Sequence, residues 1–126
     1  MTHEKRTSER SFFYRLRRSK IGYFFLASLH FFAMNFPISK IRVFFYRLRG
    51  SKIEKHVAIA PLVFMEEGYP ELITIRENTS IGPLTTIVTH HTIFSHSKQT
   101  STPYNAPVVI GKNCYIGSGV IILPGV

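Results

Sequence analysis

A chain of 126 residues has room for one modest core, and its single cysteine, Cys114, excludes an internal disulfide framework. The net charge of +9 is unevenly spread: residues 1–55 hold thirteen Lys/Arg against Glu4, Glu9 and Glu54, a sum of +10, whereas residues 56–126 hold three against four, a sum of −1. The imbalance suggests an anionic partner, nucleic acid or a membrane surface; no nucleic-acid-binding motif matches, and the uncharged stretch 21–38 favours the membrane.

Residues 1–11 read as a polar tail, and residues 12–52 as a basic, aromatic-rich helical segment. FFYRLRRSKIG at 12–22 returns as FFYRLRGSKIE at 44–54. In helical register the aromatic and leucine side chains fall on one side and the arginines on the other, which predicts two amphipathic surface helices. Between them IGYFFLASLHFFAMNFPI, residues 21–38, carries no Lys, Arg, Asp or Glu. As a helix it would reach roughly 27 Å, near the lower limit for a bilayer. Crossing a membrane, lying in its interface and packing against protein are all open to it, with His30, Asn35 and Pro37 weighing against crossing. No small-x-small cleavage site follows the apolar run, so a secretory signal is not indicated. The expected location is cytoplasmic, peripheral at the inner face of the membrane.

From Ile53 the ruler changes. Isoleucines stand at 53 and 59, at 75, 81 and 87, and at 110, 116 and 122, a spacing of six within each block. Four residues after each except Ile87 comes Val57, Val63, Thr79, Thr85, Cys114, Val120 or Val126, which shares the isoleucine's side of a strand. Three residues after each except Ile87 comes His56, Leu62, Asn78, Leu84, Asn113, Gly119 or Gly125. Gly, Asn and, less often, His tolerate positive φ, so a left-handed corner is expected there; the two leucines suit it less well. Short strands turned every six residues wind into a parallel β-helix around an isoleucine stack. The predicted fold is mainly β: a left-handed parallel β-helix over 53–126 with the helical segment before it. Two stretches break the phase, 61–74 and 88–109, the second being predicted as a long protruding loop.

His90, His91 and His96 cluster where that loop begins. An imidazole is half-ionised near neutral pH and so can take a proton from an alcohol and return it. Exposed loop histidines with no chemistry are the plainer alternative.

Three stretches, GSKIEKHVAIAP, ITIRENTSIGPLTTIVTHH and PVVIGKNCYIGSGVIILPGV, resemble the hexapeptide-repeat acyltransferases, in particular the sugar O-acetyltransferases related to the maltose and galactoside enzymes. The resemblance implies a homotrimer that moves an acetyl group from acetyl-CoA, bound between subunits, to a hydroxyl of a sugar or surface-glycan precursor. The family's Thr-x-His pattern falls on Thr89-His90-His91, which implies His91 as general base with His90 as second choice. Tyr115 stands where the family has a tryptophan lining the pantetheine channel, and Gly117 and Ser118 match the adjoining cofactor-facing turn. Cys114 has no nucleophilic role and is expected in the core. Family members continue for further turns, so a shortened chain is expected, and an inactive remnant retaining only association is a second reading. A third borrows the zinc site of the γ-class carbonic anhydrases, with His56, His91 and His96 as ligands; the leading reading expects no metal.

Overall fold

A computed structural model describes residues 15–16, 19–95 and 100–126. His96 and most of the first FFYRLR copy lie outside the described residues. Two helices come first, α1 (Lys20–Asn35) and α2 (Ser39–Leu48). Ser19 caps α1 by accepting the Gly22 N–H at 3.4 Å, and α1 ends one residue before Phe36-Pro37, as a proline requires of the chain ahead of it. No helix among the described residues is long and apolar enough to cross a membrane.

Nine very short strands then wind three coils of a left-handed parallel β-helix. Coil 1 holds β1 (Lys52–Ile53), β2 (Ala58–Ile59) and β3 (Phe64–Met65). Coil 2 holds β4 (Ile73–Ile75), β5 (Ser80–Ile81) and β6 (Thr86–Ile87). After the antiparallel hairpin β7 (His90–Ser95) and β8 (Thr100–Asn105), coil 3 holds β9 (Val108–Ile110), β10 (Tyr115–Ile116) and β11 (Ile121–Ile122). Equivalent strands stack into three parallel sheets: β1-β4-β9, β2-β5-β10 and β3-β6-β11.

Register puts the isoleucines in columns. Ile53 lies beside Ile75 and Ile75 beside Ile110; Ile59, Ile81 and Ile116 form the second column. The third is Met65, Ile87 and Ile122. All eight isoleucines pack in one core, seven of them buried, each fully buried side chain contributing roughly 1.5–3 kcal/mol. Met65 is a ninth member of the rhythm, six residues after Ile59, so the first break begins at Glu66 and not at Pro61 as the isoleucine spacing alone suggests. All seven expected corners have positive φ, including Leu62 (59°) and Leu84 (61°). Thr79 and Thr85 occupy inward positions by donating their hydroxyls to the carbonyls of Gly111 (2.7 Å) and Gly117 (2.9 Å) on the next coil. Cys114 packs against the core but is only half-buried.

The open N-terminal edge, or mouth, of the coil explains the helices. Backbone groups point both ways along the coil: Glu54, Ala60, Phe64 and Glu66 donate to Ile75, Ile81, Thr85 and Ile87 of coil 2, whereas Asn78, Asn113 and Gly119 donate to Lys55, Glu77 and Pro83 of the coil before them. Coil 1 has no strand below it, so the carbonyls of Ile53, Ile59, Val63 and Met65 and the N–H groups of Ile59 and Leu62 open toward the N-terminal helices. α2 lies across that mouth. Arg47 donates to the carbonyls of Ile53 (2.9 Å) and Glu54 (2.8 Å), Arg42 to Ile59 (2.9 and 2.6 Å) and to Phe36, Tyr46 to Val63, and Arg49 to Met65 and Glu66 (both 3.3 Å). The amphipathic expectation for 44–54 is thus inverted in part. Arg42 and Arg49 are buried, and Phe44 and Leu48 are exposed, because an open sheet edge rewards a donor more than a methyl group.

Candidate active site

In coils 1 and 2 the corner after the third sheet is replaced by an excursion. Coil 1 leaves at Glu66 and returns through the 3-10 turn Pro70–Leu72; coil 2 leaves at Val88 and returns through the β7–β8 hairpin. Because β3 and β6 are neighbours in register, the two exits lie one above the other.

Glu66, the residue after inward Met65, is 2 % exposed. Its Oε1 accepts the Gly68 N–H (2.7 Å), and its Oε2 accepts the Thr89 N–H (3.1 Å) and meets His90 Nδ1 at 2.8 Å. Burial opposes the charge, but the two backbone N–H groups and the His90 ring outweigh it and hold the carboxyl below its ordinary range. An ionised carboxylate can only accept, so Nδ1 of His90 carries the proton, which leaves Nε2 as the acceptor nitrogen of the neutral ring. The His90 side chain is 44 % exposed, with the Tyr69 ring edge-on at 5.6 Å between centroids. A β-carbon at Gly68 would sit 3.3 Å from Glu66 Oε1 and 3.7 Å from His90 Cε1, so the glycine leaves the pair its space.

His91 follows in β7 and is exposed. It lies opposite Tyr104 in the hairpin register, and the two rings pack at 4.9 Å and 34°.

Behind Glu66, Arg49 fixes the backbone of residues 65 and 66, as described, and His30 of α1 packs edge-on to Phe64 at 5.1 Å. Burial, reinforced by the Arg49 charge, pushes His30 down to about 4 against the opposing pull of Glu66. Glu67, 3.6 Å from its Nε2, does not reverse this, so His30 is neutral at pH 7. Sequence reasoning missed Glu66, Arg49 and His30 as parts of this corner; the available signal was a carboxylate placed directly after an inward residue where the rhythm stops.

Tyr115 stands on the outer face of the second sheet, 79 % exposed, beside Ser80 in register. Gly117 and Ser118 form the turn that follows, stacked on Gly82. A β-carbon at Gly82 would come within 2.7 Å of the Gly117 carbonyl carbon, whereas one at Gly117 would meet nothing within 4 Å. The Gly117–Ser118 turn joins the second and third sheets, and the histidines sit where the third sheet is left. One chain therefore places the two groups at opposite ends of the third sheet. His56 occupies yet another corner, between the first two sheets, and His96 lies outside the described residues; among the described residues no three His, Cys, Asp or Glu side chains gather as a metal site.

No protein-family model matches the chain, and no solved structure matches it. Curated proteins do. Galactoside O-acetyltransferase of Escherichia coli (strain K12) is 40 % identical over 55 residues, which is 43 % of this chain and 27 % of that protein. Nodulation protein L of Rhizobium meliloti (strain 1021) is 44 % identical over 55 residues, 43 % of this chain and 30 % of that protein. Its counterpart from Rhizobium leguminosarum bv. viciae is 42 % identical over 55 residues, with 43 % and 29 % covered. The chain thus spans less than a third of the length of the curated relatives it matches.

Proposed function

We propose that this chain is an acetyl-CoA-dependent O-acetyltransferase acting on a hydroxyl of a sugar or glycan precursor, with the His90–His91 pair as its catalytic centre. Likeness to a galactoside O-acetyltransferase supports the class of reaction. The observation that carries the chemistry is the contact of buried Glu66 with His90 at 2.8 Å, which fixes the tautomer and leaves Nε2 as the acceptor nitrogen.

His90 Nε2 takes the proton of the acceptor hydroxyl as its oxygen attacks the thioester carbonyl. The C–S bond breaks as the new ester forms, and the imidazolium returns its proton to the departing thiolate. Glu66 stabilises the imidazolium and holds the ring without reacting. Tyr115, Gly117 and Ser118 hold acetyl-CoA, the open space around Gly117 leaving room for the pantetheine arm. Because one chain keeps this turn and the histidines at opposite ends of the third sheet, the complete site forms between neighbouring copies of a homotrimer.

A second reading makes His91 the base. It occupies the family's position in the Thr-x-His pattern and packs on Tyr104, exposed and free of a carboxylate anchor. Single substitutions separate the two. His90→Asn is expected to lower turnover by roughly 10²- to 10⁴-fold with the fold retained, and His91→Asn by less than about ten-fold. The reverse order transfers the role to His91. Full activity in both variants, or no heat of acetyl-CoA binding in calorimetry, overturns the proposal and leaves an association-only role.

A further inference from the structure

The N-terminal helices expose what water disfavours. α1 turns Leu26, Leu29, His30 and Ala33 toward the protein, while Ile21, Phe24, Phe25, Phe31 and Phe32 line the opposite face at helical spacing and remain 47–82 % exposed. On α2, Phe44 and Leu48 are also exposed. Ring contacts join the two helices: Phe31 to Phe32 at 5.9 Å, Phe32 to Phe45 at 5.7 Å, and Phe45 to Phe44 at 5.7 Å. The result is one continuous aromatic strip, of the kind that marks an interaction site.

Charge says what covers it. No acidic residue stands between Glu9 and Glu54. Arg42, Arg47 and Arg49 are engaged with the mouth of the coil, but Arg15 ahead of α1, Lys20 at its first position and Lys40 at the start of α2 are exposed. A second copy would bring the same cationic segment against this one, so self-association through the strip works against its own charge. An anionic leaflet reverses that sign and offers an apolar interior to the rings. A cleft of about 700 Å³ between Leu16, Phe25, Leu26 and Leu48, with Arg15 on its lining, has the size and character to take part of an acyl chain.

We propose that this strip is a membrane-docking surface: α1 and α2 lie in the interface of an anionic phospholipid leaflet, rings among the acyl chains and Arg15, Lys20 and Lys40 against the headgroups. The mouth of the coil is then its membrane-proximal end. The proposal does not depend on acetyl transfer, and its test has no activity readout.

Flotation of the full chain with phosphatidylcholine vesicles, with and without added phosphatidylglycerol, decides it. Partition is expected to be at least about ten-fold greater on the anionic vesicles and to fall as salt rises. The double variant Phe24→Ser/Phe31→Ser should lose roughly another ten-fold with its melting temperature unchanged, since both side chains are already exposed. Ile121→Ser, an exposed apolar residue on coil 3, should partition like the parent chain. Equal partition on the two vesicle types, parental binding by the double variant, or sedimentation showing the strip closed between copies or against a co-purifying protein each overturns the proposal.

Discussion

The mouth of the coil and the broken corner above it are built from the same strands and bury charges of opposite sign. At the mouth the backbone presents carbonyls, and guanidinium groups of Arg42, Arg47 and Arg49 fill them. At the corner the two excursions present N–H groups, of Gly68 and Thr89, and the carboxylate of Glu66 fills those. The backbone groups left open at each place select the ion that can lie there, carbonyls taking a guanidinium and N–H groups a carboxylate. The difference in outcome lies in what is left over. The cations at the mouth are spent on backbone, whereas the carboxylate at the corner also grips an imidazole that stays partly exposed.

The comparison is tested most severely at Glu66. Glu66→Gln keeps the shape but removes the charge that selects the His90 tautomer, so turnover should fall by roughly 10²- to 10⁴-fold and its acidic pH limb should move. A lower melting temperature with an unmoved pH profile would reduce Glu66 to a structural plug. At the mouth, Arg42→Met leaves the carbonyls of Ile59 and Phe36 without their donor, at about 1–3 kcal/mol each in urea unfolding. Arg42→Lys should recover only part of that, since an ammonium cannot span both. An undiminished Arg42→Met would mean that water serves the mouth equally well.

Acid should remove two contributions at the corner in sequence. His30 has a folded value of about 4 against an ordinary 6.5, so the unfolded chain takes up its proton first. The stability it contributes is complete above pH 6.5 and is lost as pH falls toward 4, on the order of 3 kcal/mol. Glu66, depressed in the fold, contributes above the ordinary carboxyl range and loses that contribution as pH falls below it. The groups facing His30 are Arg49, Glu66 and Glu67. His30→Phe should therefore flatten the stability profile between pH 6.5 and 4 and leave the steeper fall below 4.5 in place.

The coil was legible because its rule is local: one isoleucine, three residues to a corner, three more to the next isoleucine. That rule located eight of the core isoleucines and all seven corners, but not Ile73, which is fully buried outside the rhythm. It passed over Met65 because a thioether breaks the pattern by name though not by volume. The helices were less legible. Arginine is ordinarily a surface residue, and only the open carbonyls of coil 1, a property of the assembled coil, turn Arg42 and Arg49 inward. At the corner, the position of His90 and His91 at a break in the rhythm could be read directly. Glu66 could not be paired with His90, since 24 residues separate them and only the stacking of β3 under β6 brings them together.

The smallest expected effect concerns the corners that the coil tolerates rather than prefers. Leu62 and Leu84 stand one above the other at the turn between the second and third sheets, both with positive φ and both exposed. A side chain with a β-carbon costs about 1–2 kcal/mol in that conformation, and asparagine avoids much of it by bonding locally. The turn between the first two sheets already does this: Asn78 donates to Asn113 Oδ1 at 2.8 Å across successive coils. Leu84→Asn should therefore raise the unfolding free energy by about 0.5–1 kcal/mol, provided that Leu84 gives up little apolar contact on its exposed edge. A loss of stability instead would show that the two stacked leucines contribute more by covering the corner than they cost by bending it, and the same substitution at Leu62, beside α1 through its N–H bond to Met34, would then lose more still.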